Sequence, residues 1–592
     1  VLHLIVAFRD PVPMPVFPRP RTDLPRTDPA NLLIENQTDS LIRVIRGLRA
    51  GQYTDDSMSL SSIRVAVRGH FWLIQAIVVE AKVGRLPAID SLPSAAYVRA
   101  VETRDEPPNT CPDGTVDLRC ANDVDDDDIA QAVELIGMKD WKAIGYEQGW
   151  MGVLDTGVYT EHDLLKEASA SGMSIFQCEK DCPTDCPDDA EKCTDCIASN
   201  PGDLCGPGHG TSTAGILVGR SASFPRHEGM TRASLDWFTV YDQDCQGDCG
   251  SARGSRMLNA CAAIRAFEFS IRRGNPVIVA EVAANADADD DRDPIDRAAA
   301  HAFETNRAII AAAGNSPMGS PVAGPAREAT VIAVGARYSY DWVEDPASMP
   351  TQRYSTVGGR SKPELLAPTK TEAPARCFSQ AFQFFSYTSG ATPYVGGTAS
   401  ILNEWIAKTV GLFDAGHTYA QLILSGSRVA DFSNPKWGVG LLNVPPPTTT
   451  TTWLDKEELG SGGIAYIDLP GATDDLRQVD AALWWPESQR PDGSRPHHHV
   501  QLELLDVHDN VVEVSKDPSN VFQRLSVPRS RLGPVSEWRL HWRTFSWCFF
   551  GWCWSFHLPW IDARGWRIRI TELTTMDTGE VQTVYWTVAG RR

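Results

Sequence analysis

Between residues 145 and 445 the chain alternates short apolar runs with helical patterns. "WMGVLD", "WFTVYD", "PVIVAEVA", "AIIAAAG" and "ATVIAVGA" offer almost no polar face to water. Strands of this kind must be covered on both sides, and helices do this in a parallel α/β sheet. The segments between them supply the helices. "GTSTAGILVG" opens one, "RMLNACAAIRAFEFSIRRG" keeps helical periodicity up to Gly274, and "PIDRAAAHAFETNR" starts on Pro. A long helix is predicted from about Ser389 to about Val410. The fold class expected here is α/β, a parallel sheet flanked by helices.

A chain of 592 residues is too long for one core, so flanking domains are expected. Residues 1–105 carry the strand-like runs "LHLIVAF", "HFWLIQAIVVEA" and "AAYVRAVE", with a short helix predicted in "KVGRLPAIDSLPS". They read as a small α+β unit without cysteine, followed by the polar, Pro-rich "TRDEPPNT" (103–110). "NVPPPTTTTT" (443–452) reads as a linker centred on 446–452. Beyond it, short β-type runs separated by turn residues predict an all-β sandwich over 453–592. The central domain is then 106–445, with a Cys-rich insertion at 178–205.

A net charge of −21 argues against nucleic acid and anionic membrane as main partners. No apolar run is long enough to span a membrane. Fourteen cysteines, six of them within 178–205, in polar loops rich in Asp and Pro, predict disulfides and an oxidising, extracellular compartment. A zinc site at Cys193-x-x-Cys196 is the alternative for that loop. The opening "VLHLIVAFRDPVPMPVF" has neither basic n-region nor apolar h-region, so it does not read as an intact signal peptide.

Four segments end strands or begin helices in the central domain, where catalytic groups of open α/β sheets collect. "GVLDTGV" places Asp155 at a strand end, "GPGHGTSTAGIL" places His209 at a helix start, "IIAAAGNS" places Asn315 after a strand, and "YTSGATPYVGG" places Ser389 at a helix N-terminus. The set fits acyl transfer. Ser389 would be the nucleophile, His209 the proton carrier and Asp155 its orienting partner. Asn315 and the Ser389 N–H would form the oxyanion hole.

These motifs, in the order Asp, His, Asn, Ser, resemble those of subtilisin-like serine proteases (subtilases, peptidase family S8). "VLDTGVYTEHDLL" is similar to the family's Asp motif, "HGTSTAGI" to its His motif, and "AAAGN" with "GPAREATVIAVGA" to its oxyanion segment. "ELLAP" and "WGVGLLNV" resemble later landmarks, and the likeness runs over about residues 125–445. It implies a secreted endopeptidase that acts on polypeptides, and a monomer is expected. Residues 1–105 more loosely resemble the family's propeptide, which implies an intramolecular inhibitor cut off near 103–110. The C-terminal part resembles the sandwich appended to many secreted members. The family needs no cofactor for its chemistry and commonly binds structural Ca²⁺. The acidic runs 123–128 and 285–293 are candidates for it, without assigned metal ligands.

Three departures from the pattern stand out. Tyr387 replaces a usual Gly, and Gly390 a usual Met. "VAEVAA" (279–284) replaces the edge that pairs with substrate. The substrate-binding set implied by the resemblance is Glu281, Val282, Ala283, Ala311, Ala312, Ala313 and Gly314. Glu281 would make an acidic pocket favouring Lys or Arg, or else point to solvent. A non-catalytic scaffold of the same fold is the alternative to an enzyme. In the last domain, "HHH" (497–499) reads as a loop. "FSWCFFGWCWSFHLPW" reads as core or as an exposed aromatic patch around a Cys548–Cys553 bridge.

Overall fold

The computed structural model describes residues 2–8, 12–92, 94–100, 103–105, 118–120, 128–168, 170–174, 203, 208–243, 256–284, 293–315, 322–338, 360–376, 378–411, 414–427, 437–470, 472, 475–487, 497–534, 536–549, 552–574 and 581–592. Most of the Cys-rich insertion, most of both acidic runs and residues 106–117 lie outside them. Residues 1–444 and 487–497 form one compact unit, and residues 445–486 and 498–592 form a second.

The first unit opens with β1 (Leu2–Phe8), a helix Pro29–Ser62, β2 (Ala66–Phe71), β3 (Ala76–Ala81), a short helix Leu86–Asp90 and β4 (Ala95–Ala100). They make an antiparallel sheet ordered β2-β3-β1-β4, the split βαβ arrangement. The expected single run "HFWLIQAIVVEA" is broken at residues 72–75, where Gln75 has φ 50. The helix Pro29–Ser62 was not among the predicted elements. Next come β5 (Thr103–Asp105) and β6 (Leu118–Cys120).

The main sheet is built from β7 (Trp150–Asp155), β8 (Ala170–Ser174) and β9 (Ser234–Thr239). The chain then forms β10 (Tyr241–Gln243) and β11 (Arg256–Asn259), outside this sheet. β12 (Val277–Ala280), β13 (Ala308–Ala312), β14 (Ile332–Tyr338) and β15 (Leu365–Thr369) return to it. The hairpin β16 (Thr371–Pro374) and β17 (Ala381–Phe385) leads to the helix Tyr387–Val410, and β18 (Gly426–Ser427) and β19 (Leu441–Leu442) close the sheet. Its order is β18-β19-β15-β14-β13-β12-β7-β9-β8, parallel from β8 through β19. Residues of β7, β12, β13 and β15 are buried throughout, as strands with two covered faces must be. Helices Ala260–Arg272 and Pro294–Glu304 pack together, and Asn259 and Asp293 cap them by accepting from Ala262 and Ile295 N–H. The stretch "RMLN", predicted as helix, is β11. The Asn259 cap fixes the helix start after it.

The second unit contains two four-stranded antiparallel sheets and a long hairpin, Ser536–Phe549 with Trp552–Gly565, in which residues 548 and 553 are opposite each other. The Pro/Thr run expected as a linker is divided. Pro447–Thr449 is a 3-10 turn, whereas Thr450–Thr452 begin a ten-residue strand paired with Ala589–Arg591. β-Branched Thr favours that state.

His162, fully buried near the Asp155 loop, shows how this region is held. Its Nδ1 accepts from Leu164 N–H at 3.1 Å and its Nε2–H donates to the Ala381 carbonyl at 2.8 Å. Only the neutral ring satisfies both contacts. Burial accordingly lowers its pKa to about 4. The unfolded chain takes up this proton near pH 6.5 and the folded one only near 4. Stability is therefore expected to fall as pH drops through that window, by roughly 3 kcal/mol from this group. Thermal melts of His162→Gln, which can keep both hydrogen bonds, should show a shallower decline between about pH 6.5 and 4. An unchanged acid limb refutes the assignment.

Candidate active site

Asp155 ends β7 and is 1 % exposed. Its Oδ1 accepts from His209 Nδ1 at 2.8 Å and from Thr156 N–H at 2.6 Å, and its Oδ2 accepts from Thr213 Oγ1 at 2.8 Å. His209 and Thr213 lie one turn apart in the helix His209–Val218, so the same carboxylate fixes both. A side chain on Gly210 would collide with the Gly157 carbonyl, so glycine is needed for this close approach.

A second buried carboxylate ties the Asp and His segments together. Asp203, 2 % exposed, accepts from Thr156 Oγ1 at 3.0 Å and from Thr211 through N–H at 3.0 Å and Oγ1 at 2.8 Å. Thr156 Oγ1 in turn accepts from Gly210 N–H at 3.0 Å. Asp203 and Thr213 were missed as site residues. Thr213 lies within the quoted His motif, and the only sequence signal for Asp203 is its place six residues before His209.

The imidazole of His209 meets the Phe385 ring edge to face, with centroids 4.9 Å apart. Phe385 ends β17, two residues before the helix that carries Ser389. That helix packs against the His209 helix, and Ser389 is 7 % exposed in its first turn. Asn315 follows β13. Its Oδ1 accepts from Thr388 N–H at 3.0 Å and Thr388 Oγ1 at 2.7 Å. With the amide oxygen so engaged, the NH₂ end is the one able to donate. The orphan N–H groups of the helix start and its positive dipole end lie at the same place. Asp155 and His209 are thus directly bonded, Asn315 is bonded to Thr388 next to Ser389, and Phe385, four residues before Ser389, is in ring contact with His209.

Tyr387 has φ 63, a left-handed conformation that costs a side-chain-bearing residue roughly 1–2 kcal/mol. Its carbonyl accepts from Thr369 Oγ1 at 2.7 Å. The same hydroxyl explains Gly390. A Cβ there would meet Thr369 Oγ1 at 2.6 Å and the Phe385 carbonyl at 2.5 Å. Glycine at 390 is therefore sterically required.

The implied substrate-binding residues separate into two groups. Ala311 and Ala312 lie inside β13, whose backbone is used by β12 and β14. Val282, Ala283 and Ala284 follow β12, and Ala284 forms a bridge with Gly324. Ala313 N–H donates to the Val334 carbonyl and its own carbonyl accepts from Ala323 N–H, and Gly314 follows with φ 99. Glu281 is 4 % exposed, which overturns the solvent-facing alternative. Its N–H donates to the Leu154 carbonyl and its own carbonyl accepts from Tyr241 OH at 2.9 Å. Among the described residues no cluster of His, Cys, Asp or Glu is arranged to hold a metal.

A carboxylate–imidazole pair at a parallel-strand end, with a serine in the first turn of a helix packed on the histidine's own helix, is a set of groups that a serine hydrolase uses. Residues 150–433 match the model of the subtilase family (peptidase S8), so this domain is a subtilase domain. Among solved structures it is similar to the prenylagaramide maturation protease PagA, with 20 % identity over 52 % of this chain and 96 % of that one, at a TM-score of 0.39. It is also similar to a serine-to-alanine mutant of the epidermin leader peptide processing serine protease EpiP from Staphylococcus aureus. There the identity is 13 % over 75 % of this chain and 97 % of that one, at a TM-score of 0.47.

Two substitutions test the helix start. Gly390→Ala is expected to lower stability by about 1–3 kcal/mol through overpacking against the Phe385 carbonyl. Tyr387→Gly should leave stability unchanged or raise it by up to about 1 kcal/mol. Denaturant midpoints decide it, and the reverse order contradicts the steric account.

Proposed function

We propose that the chain is a secreted serine endopeptidase made as a self-processing precursor. The observation that carries this reading is the Asp155–His209 hydrogen bond at the end of β7, with His209 on a helix that packs against the one carrying Ser389. In the proposed reaction Ser389 Oγ attacks the peptide carbonyl and His209 Nε2 receives its proton. Asp155 holds the Nδ1–H tautomer and stabilises the imidazolium. The Asn315 NH₂ and the Ser389 N–H stabilise the oxyanion. His209 then protonates the leaving amine, and water hydrolyses the acyl-enzyme by the same proton path in reverse.

The precursor reading has its own support in the backbone. β5 lies antiparallel on β11, pairing Arg104 with Leu258, and β11 pairs with β10. This small sheet starts at the Asp155 end of the main sheet, where Val240 N–H donates to the Asp155 carbonyl and Asn259 N–H to the Val240 carbonyl. The chain leaving the N-terminal unit thus adds a strand beside the proposed cleft, as an inhibitory tail would. The proposed cut falls near residues 103–110. Extracellular location is inferred from cysteine usage, and Ca²⁺ binding in the acidic loops is part of the same proposal.

A fluorophosphonate probe tests the enzyme directly. Labelling of processed protein is expected on the Ser389 peptide and should vanish in Ser389→Ala. Folded protein freed of residues 1–105 that takes no label would sink the proposal. Asn315→Ala is expected to keep KM and lose about 10²–10³ in kcat on a peptide substrate, the loss typical of one oxyanion donor.

A further inference from the structure

Two short segments leave the C-terminal ends of neighbouring strands beside the Asp155–His209 pair. Residues 281–284 follow β12, and Glu281 N–H donates to the carbonyl of Leu154, the residue before Asp155. Residues 313–315 follow β13 and end on Asn315. In open α/β sheets the space outside such strand ends receives the ligand. The β12–β13 pairing runs from Val277 with Ala308 to Ala280 with Ala311. Beyond it a third piece of chain, the turn 323–328, joins the two segments. Ala284 and Gly324 exchange both backbone hydrogen bonds, at 2.8 and 2.9 Å, and Ala323 N–H donates to the Ala313 carbonyl at 3.2 Å. Arg327 N–H closes the turn on the Ala323 carbonyl at 3.0 Å.

A buried ion pair holds this turn to the helix Pro294–Glu304. Asp296, in the helix's first turn, accepts through Oδ2 from Arg327 Nε. Arg327 Nη2 also lies 3.2 Å from Oδ2 of Asp293, the residue that caps the same helix. Asp296 and Arg327 are 3 % and 6 % exposed. Asp296 Oδ1 has no hydrogen-bond partner among the described residues. It takes the space that a side chain on Gly324 would need, 2.4 Å from where a Cβ would lie. Burial pushes the Asp296 pKa up to about 7; Arg327 opposes the rise, and Asp293 and Glu328 add to it.

An apolar contact of the same size would join helix and turn at less cost than a buried charge pair. The pair adds a fixed direction and distance, and with them the place of Gly324 between Ala284 and Ala313. Asn315 has its own support. Thr388, next to Ser389, holds its side chain through two hydrogen bonds at 3.0 and 2.7 Å. A displaced turn would therefore shift the two segments and leave the oxyanion donor in place.

We propose that Asp296 is a positioning residue for the polypeptide substrate: through Arg327 and Gly324 it sets the separation of segments 282–284 and 313–315, and so how tightly a substrate is gripped between them. This rests on the endopeptidase reading above. Asp296 touches none of the reacting groups, so its effect falls on KM, whereas loss of the Asn315 donor falls on kcat. The ionised carboxylate holds Arg327 by a charge-assisted bond on both sides, and the neutral acid holds it less firmly. The grip is therefore firmer above about pH 7 than below it.

The test measures hydrolysis of dye-labelled, denatured casein by the processed protein, alongside its rate of fluorophosphonate labelling. Asp296→Asn, which keeps the shape of the acid and removes its charge, is expected to raise KM about tenfold at about pH 8, with kcat and the labelling rate within about twofold of the parent. The ratio of variant to parent KM should shrink toward one by about pH 6, where the parent acid is itself neutral. Gly324→Ala should also raise KM, because its methyl group meets Asp296 Oδ1. In an Asp296→Ala background that space is vacant, and the same substitution should raise KM no further. Where Asp296→Ala does not fold, the Asp296→Asn ratio decides alone. Parent-like KM in Asp296→Asn, a ratio that stays constant with pH, or additive effects of the two alanines each overturn the proposal. Equal loss of kcat and labelling also overturns it, because that marks a general structural defect. A parent that neither labels nor cuts casein overturns the endopeptidase reading and this proposal with it, whereas a labelled parent with an indifferent Asp296 variant overturns this proposal alone.

Discussion

The architecture of the site depends on one buried anion. A carboxylate almost wholly removed from water at the end of β7 is costly unless donors surround it. Asp155 receives three, from the His209 ring, the Thr156 backbone and the Thr213 hydroxyl. To supply them, the turn after β7 and the first turn of the His209 helix must both be fixed in position. Asp203 does the fixing, by holding Thr156 and Thr211 with one side chain. The imidazole inherits its orientation from this network before any substrate arrives. Preorganisation of this kind is where much of the catalytic advantage of such sites originates.

The serine side is held by different means. Thr369 at the end of β15 fixes the Tyr387 carbonyl and occupies the space beside Gly390. The two departures from the expected family pattern meet at this one hydroxyl. It supports the strained Tyr387 backbone and excludes anything larger than glycine at 390. Judged one at a time, the first substitution looks damaging and the second trivial. Together they conserve the helix start from which Ser389 projects.

Much of this was legible in the sequence, for physical reasons. β7, β12 and β13 announced themselves because strands covered on both faces leave an unbroken apolar run. The four candidate groups, Asp155, His209, Asn315 and Ser389, could be picked out because strand ends and helix starts carry Gly, Asp and Ser signals. The helix Pro29–Ser62 was not, although Asp28 and Pro29 mark its start. Leu33, Val44 and Leu48 on its outer side are more than half exposed, which blurs the apolar stripe, and Gly47 and Gly51 weaken propensity within it. "RMLN" ran into the next helix without a turn residue, so only the Asn259 cap separates strand from helix. Asp203, Thr213 and the Asp296–Arg327 pair join residues that sequence spacing does not bring together. Glu281 shows the same limit, since alternation alone could not tell a buried acid from an exposed one.

The N-terminal unit meets both ends of one parallel sheet, and the two contacts differ in chemistry. β5 pairs through its backbone with β11 near the Asp155 end, a contact that any extended chain can imitate. At the opposite end the Arg26 guanidinium is held by the side chains of Asp236 and Asn275 over the Trp150 ring, a contact that an arbitrary polypeptide cannot imitate. In the proposed precursor a polypeptide substrate would therefore compete with β5 and leave the Arg26 contact untouched.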